Sequence, residues 1–582
     1  MSERVLVAAV PASLIVALAW SSGGYFPRTW GVVLLVEAIA LASVAILARR
    51  VHLGRRGFLV VSSLLGLAGW QLVSRAWAID PDATVLEAER TALYAGAVAT
   101  ALLVVDRRRA PDVVLGVLLG AGTVTVGGLA QHVLGSPGER FELPVGYANA
   151  AGILAAITLL LGLGLSSDDH AWRRAVGAGL GPPAAVALYL SLSRGALLAA
   201  ALGLVVLVAT LRPASRLARS GVAAVPAGAA AVVAASVDLL DDRGATTREA
   251  LALLMLALFA AAASVLAARA PRIRVRGVSS TVAIAAGAVA ATVLLAVIVV
   301  AGIHEIRAVG SAPARQQGAP SRLLSSTSDR AEYWKVAARI VRDDPLGGVG
   351  AGGFERTWLR ERPALIYVRD AHNLYLETLA ELGPIGLVLL LVALLVPLAG
   401  VRPAAEAAAG PAALAAYAAL VAHAVLDWDW ELPAVTLCTL FLGVALLRLG
   451  AGARSVPVEA RTTAILVGAA VAVGALALVV HVGNGATADA QEALERGNVA
   501  AARRDAERAR RFAPWAAAPW RLLGEAELAE GRLEPARRHL LRVVREDPAS
   551  WDAWRDLALV SQGQEREAAL RRARLLDPLA PP

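Results

Sequence analysis

The chain has 582 residues, of which 57% are hydrophobic and 18% charged, and its mean hydropathy is +0.60. A soluble protein of this length carries charge on about a quarter of its residues. Here the apolar residues run in long blocks without intervening charge, which excludes a soluble enzyme, a disordered chain and a secreted disulfide scaffold. The net charge of +9 sits mostly on arginines at the ends of those blocks, so membrane topology accounts for it better than nucleic acid does. The one cysteine, Cys438, lies inside an apolar block and leaves no disulfide within the chain.

A helix needs about 20 apolar residues to cross the hydrocarbon core. The blocks predict fifteen spans, near 5–20, 29–48, 58–74, 90–105, 113–134, 147–165, 174–192, 195–211, 221–237, 248–268, 280–303, 384–400, 411–427, 434–450 and 462–482. The first follows Met1-Ser2-Glu3-Arg4 with no convincing cleavage site before the second, and reads as a signal anchor. Counted from a cytoplasmic N-terminus, the loops after even spans hold the arginines: Arg49 to Arg56, Arg107 to Arg109, Arg173 and Arg174, Arg212 to Arg219, Arg269 to Arg276, Arg402, and Arg448 to Arg461. Loops after odd spans, such as Asp80 to Glu89, Gly135 to Gly146, Asp238 to Asp242 and Trp428 to Glu431, are short, acidic or neutral. The expected fold is therefore an all-α polytopic membrane bundle of about 14–15 spans. Its parts are an N-terminal bundle (1–303), an extracytoplasmic loop (304–383), further spans (384–482) and an extracytoplasmic tail (485–582).

The tail repeats itself. Gly497 and Gly531 are 34 residues apart, as are Pro514 and Pro548, and Ala502 matches Ala536 in the same register. With Trp520, Leu523 and Gly524, this period resembles tetratricopeptide repeats, and a shortened third unit runs from Trp551 to Pro578. Such a tail either caps the fold or binds a protein partner.

Ionisable groups at the outer face are the candidates for chemistry, because charge near hydrocarbon is costly and usually functional. Ser193-Arg194-Gly195 joins two spans with almost no loop, on the side where topology asks for no arginine. Arg330 opens an amphipathic helix that carries Tyr333, Val336, Ile340 and Val341. His372, in Ala371-His372-Asn373, stands just before the helix that leads into the twelfth span, and a histidine can take a proton near neutral pH. His423 and Asp427 fall one helical turn apart at the outer end of span thirteen. Asp427-Trp428-Asp429 and Asp80-Pro81-Asp82 could each hold a divalent metal, against which stand a helix cap at Asp82 and interfacial anchoring by Trp428 and Trp430. Gly348 to Gly353 satisfies G-x-G-x-x-G, but a helical segment precedes it where a dinucleotide site requires a strand. It is read as a tight loop under the catalytic face.

Together these residues resemble the O-antigen ligase and polymerase superfamily of GT-C-type membrane glycosyltransferases. The resemblance rests on Gly146-Tyr147-Ala148-Asn149, Ser193-Arg194-Gly195, and Arg330 with Trp334 ahead of Pro345-Leu346-Gly347. It continues through Gly350, Phe354, Ala371-His372-Asn373, Glu381-x-Gly383, and His423 with Asp427, in order across roughly residues 60–450. The resemblance implies transfer of a glycan from undecaprenyl diphosphate to a glycan, lipid or protein acceptor at the outer membrane face, inverting, with no cofactor and no metal. It implies that Arg194 and Arg330 bind the diphosphate and that His372 activates the acceptor hydroxyl. Asn373 and Asp427 are assigned to substrate binding, Asp427 also as a group that could orient His372. Polymerase and protein O-glycosyl ligase share the architecture and differ in acceptor; a lipid-linked glycan transporter is the reading from another class, and it would want a charged path through the midplane.

Overall fold

The computed structural model describes residues 3–135, 140–236, 247–269, 330–407, 409–451 and 454–580. The expected span at 280–303, the first part of the long loop to residue 329, Arg272, Arg274, Arg276 and the Asp238 to Asp242 loop lie outside the described residues.

Each remaining apolar block forms a helix, because inside a bilayer the backbone must satisfy its own hydrogen bonds. The first ten helices are α1 (Glu3–Ala19), α2 (Trp30–Leu47), α3 (Arg55–Ser74), α4 (Pro81–Val104), α5 (Ala110–Gly135), α6 (Ala148–Leu165), α7 (Ala171–Leu190), α8 (Arg194–Thr210), α9 (Ala214–Ser236) and α10 (Thr247–Arg269). After the long loop come α11 (Arg330–Asp343), α12 (Phe354–Glu361), α13 (Leu374–Leu395), α14 (Gly410–His423), α15 (Pro433–Ala451) and α16 (Ala460–Glu495). Among the described residues, nine helices are long and apolar enough to cross a membrane. The other five predicted spans that are described coincide with α1, α4, α7, α8 and α14, which are shorter or more charged.

Without a hydrophobic drive between helices in lipid, close packing of small residues holds such a bundle together. Helix α6 shows this best. Rich in alanine and glycine, it is buried along its length. A methyl group at Gly116 of α5 would likewise collide with the Ala8 carbonyl of α1. By contrast α10 and α16 leave most of their apolar surface uncovered, as lipid-facing helices do.

At the arginine-rich end, β1 (Arg50–Leu53) pairs antiparallel with β2 (Arg454–Pro457), the only strands among the described residues. Buried Arg448 donates to the carbonyl of His52 at 3.0 Å and to that of Leu102. Arg173 pairs with Asp112 at 2.5 Å. The opposite end carries the loop helices α11 and α12.

Three boundaries differ from the sequence expectation. Helix α4 begins well before residue 90, because Asp80 caps it and Pro81 fills its first position. Helix α13 breaks at Gly383 (φ 64°), so Leu374–Leu382 is a separate segment ahead of the span. Helix α16 passes through Gly485 without interruption and carries the chain directly into the tail. The tail then folds as α17 (Val499–Phe512), α18 (Ala518–Ala529), α19 (Leu533–Glu546), α20 (Trp551–Leu559) and α21 (Gly563–Leu576). Gly497 and Gly531 take positive φ between consecutive helices, where the left-handed turn favours glycine, and Gly563 takes positive φ as the first residue of α21. Helices α17 and α19 have the same length and occupy the same place in the period.

Candidate functional site

Arg330 is the first residue of α11, and its guanidinium reaches across to the turn after α14, where Nη2 lies 2.8 Å from Asp427 Oδ2. Asp427 is fully buried, and donors satisfy both of its oxygens. Tyr147 Oη donates to Oδ1 at 2.7 Å, Asn149 Nδ2 to Oδ2 at 2.6 Å, and the Trp428 amide to Oδ1 at 3.0 Å. A buried carboxylate tolerates desolvation only when so partnered. The Gly146-Tyr147-Ala148-Asn149 motif at the start of α6 thus serves to hold Asp427, which in turn fixes Arg330.

His372 adopts φ +55°, a conformation sparsely used by non-glycine residues and found where the surroundings enforce it. Its Nδ1 lies 3.0 Å from the Asp370 carbonyl oxygen. With Nδ1–H donating there, Nε2 is the acceptor nitrogen. The ring packs against Tyr333 at 5.3 Å and Trp428 at 6.3 Å between centroids. Trp428 also stacks on Tyr147 at 4.7 Å, so histidine and arginine share one aromatic wall. Burial, opposed by the nearby Asp427 carboxylate, holds His372 below the ordinary imidazole range. Asn373 caps α13, its Oδ1 accepting from the Leu376 amide at 3.0 Å.

Arg194 is half-buried at the start of α8, which Ser193 caps by accepting from the Ala196 amide at 3.2 Å. Arg140 joins this turn to the Asp427 network. Arg140 donates to the Ser191 carbonyl at 2.9 Å and to Asn149 Oδ1 at 3.4 Å, while a Cβ on Gly195 would stand 3.0 Å from His423 Nε2. Arg140 went unnoticed in the sequence, although it too is an arginine in a loop on the side opposite the arginine-rich ones.

His423 and Asp427 do not stand one helical turn apart as expected. Helix α14 ends at His423, so Asp427 is not one turn further along it. The chain reverses, and His423 Nδ1 instead lies 2.6 Å from Asp429 Oδ2. The two acids of Asp427-Trp428-Asp429 thus serve different partners. Asp80, not Asp82, caps α4, and Asp82 accepts from the tail amides of Ala517 and Ala518. Trp430 is a core residue, edge-on to Tyr94 at 5.2 Å between centroids, while Trp428 lines the site.

The glycine loop before α12 turns its amides inward. Glu381 accepts from Gly352 at 2.8 Å and from Phe354 at 3.0 Å, and Ser74 accepts from Ala351 at 3.1 Å. The donors such a loop would offer a phosphate are therefore given to the protein's own carboxylate. Beyond Glu381 lies a recess of about 530 Å³, partly open to solvent, lined by Tyr25, Trp30, Glu87, Arg90, Arg369 and Asp370 among others. Arg90 pairs there with Glu87 and Glu431, and Arg369 donates to Tyr25 Oη at 2.7 Å. Burial lifts the Asp370 carboxyl to about 6, against the pull of Arg369. Asp370, Glu377 and Glu431 offer oxygens within 4.8 Å of one another, a grouping that could hold a cation among the described residues. Arg90 was hidden from sequence reasoning at the edge of a predicted span, where its charge inside an apolar block was the available signal.

Comparison with curated proteins gives no match. A family model described as O-Antigen ligase matches residues 244–391, the stretch that runs from α10 through α11 and α12 to the kinked α13 and carries Arg330 and His372. The match supports a membrane ligase or glycosyl-transfer function in general.

Proposed function

We propose that this protein transfers a glycan from undecaprenyl diphosphate to an acceptor hydroxyl at the outer face of a bacterial plasma membrane. The carrying observation is the Arg330 guanidinium, fixed by buried Asp427, near a histidine whose titration burial lowers. Arg330, with Arg194 from the adjoining turn, binds the donor diphosphate. As the bond from the anomeric carbon to the diphosphate oxygen breaks, negative charge grows on the leaving group, and preplaced guanidinium forks stabilise it more in the transition state than in the ground state. The acceptor oxygen attacks from the opposite side and its proton passes to His372 Nε2, so configuration inverts and undecaprenyl diphosphate departs. Asn373 and Asp427 belong to the same binding wall. Guanidinium groups supply the charge that a metal would otherwise bring, so the reaction runs without one. The site lies at the end of the bundle away from the arginine-rich loops, which the positive-inside rule assigns to the outside. The acceptor is a glycan, lipid or protein hydroxyl, the ligase reading standing first, and the tail is of the tetratricopeptide-like type.

The test supplies purified protein with undecaprenyl-diphosphate-linked glycan and candidate acceptors, and follows release of undecaprenyl diphosphate with EDTA present. Release by the wild type that collapses in Arg194→Ala, Arg330→Ala and His372→Ala is the expected result. Undiminished turnover in those variants would refute the assigned site, and loss of wild-type turnover on adding EDTA would refute the metal-free reaction.

A further inference from the structure

The tail meets the loop that carries His372 through ion pairs, most of them buried. Arg362, at the end of α12, sets Nη2 at 2.8 and 2.7 Å from the two oxygens of Asp577, which follows the last helix α21, and both side chains are completely shielded from solvent. Arg356 of α12 joins three parts of the molecule. Its Nε lies 2.9 Å from Asp80 at the start of α4, and its Nη2 3.0 Å from Asp547 at the end of α19. Asp82 receives the amides of Ala517 and Ala518, and Arg75 donates to the Trp515 carbonyl at 2.8 Å. A paired charge buried this deeply is weak as a source of stability, but it fixes geometry, because a shifted partner leaves an uncompensated ion.

From this contact a short path leads to the histidine. The Arg362 guanidinium lies over the Tyr367 ring at 4.3 Å. Arg362 Nη1 and Trp358 Nε1 both donate to the Ile366 carbonyl, closing the turn between α12 and the His372 segment. Trp358 packs edge-on against Tyr333 at 4.8 Å, and Tyr333 lies against His372. These rings belong to a small core of their own that includes Phe354, Ala371 and Ala380. The loop therefore has two supports, the bundle below and the tail beside it.

We infer that the C-terminal helices act as a clamp that sets the position of His372 for transfer, and that Arg362 and Asp577 are positioning residues acting through Trp358 and Tyr333. This rests on the proposed role of His372. The tail thereby has a task within its own chain, whatever else it binds.

The test uses the full-length protein in lipid nanodiscs, with hydrogen exchange across residues 354–372 read in the absence of substrate and kcat and KM read with the lipid-linked donor. Arg362→Gln and Asp577→Asn should each speed loop exchange and lower kcat on the order of 10²-fold, as a displacement of about 1 Å does, with KM for the donor little changed. Exchange across 499–546 reports that the tail itself remains folded. The doubly apolar Arg362→Met/Asp577→Leu protein, which leaves neither charge stranded, should recover loop protection and most of kcat. Wild-type loop exchange and kcat in the single variants would overturn the clamp, and so would a double variant whose loop is protected while kcat stays at the level of the singles. An inactive wild type with a protected loop would count against the transfer reaction alone, since exchange is measured without turnover.

Discussion

The two ends of the bundle use arginine for opposite purposes. At one end Arg448 feeds backbone carbonyls of β1 and α4, Arg173 pairs with Asp112, and Arg107 and Arg108 stand in solvent. At the other end Arg330, Arg90, Arg356 and Arg362 each face carboxylates drawn from distant parts of the chain, largely out of solvent. The first pattern closes helix ends; the second ties distant segments together at one end of the bundle. An arginine is thus read through its surroundings, and the end of the bundle on which it falls is the first clue to which kind it is.

That contrast can be broken at chosen residues. The largest effect is expected for His372→Ala, which should cut kcat by about 10²–10⁴-fold, the usual worth of a positioned general base, in a protein that remains folded by circular dichroism. Arg330→Ala should follow with about 10²–10³-fold, as for loss of one donor to a developing negative charge, and Arg330→Lys should recover little because a point charge cannot replace the fork held by Asp427. Asp427→Asn should cost less in kcat and lower stability by about 1–3 kcal/mol, the price of leaving buried donors badly matched, which a thermal melt would show. At the opposite end, Arg448→Met should destabilise by a similar 1–3 kcal/mol, roughly, through the His52 and Leu102 carbonyls and leave kcat unchanged. Arg107→Gln should change stability by under about 0.5 kcal/mol and leave turnover untouched.

A pH profile sharpens the comparison. In the proposed mechanism His372 acts as the neutral imidazole, and burial shifts its titration below the ordinary 6.5. Activity should therefore be full above that value and fall only as the pH drops through a point beneath it. An acid limb centred well above 6.5 would mean that the imidazole is not the base or is not buried during turnover.

Much of this was legible in the sequence. Hydropathy located every described bilayer helix, because the spanning segment must be continuous and apolar, and the 34-residue spacing from Gly497 to Gly531 marked the tail turns because only glycine takes that backbone readily. The candidates His372, Arg330 and Asp427 were legible as polar groups at one face, and the fold brings them onto a common wall. Their pairings were not. Which acid of Asp427-Trp428-Asp429 meets His423 depends on α14 ending one turn early, and apolar periodicity says nothing about a cap. The contact of Arg362 with Asp577 depends on how the tail returns to the loop, a matter of tertiary packing that no local pattern encodes.

The most direct test of the displacement mechanism is the anomeric configuration of the first product, read by nuclear magnetic resonance from a single turnover with a donor of known configuration. Arg330 holding the diphosphate and His372 activating the acceptor allow one displacement, so the account predicts inversion. Retention would require a glycosyl-enzyme intermediate on a carboxylate and would contradict it.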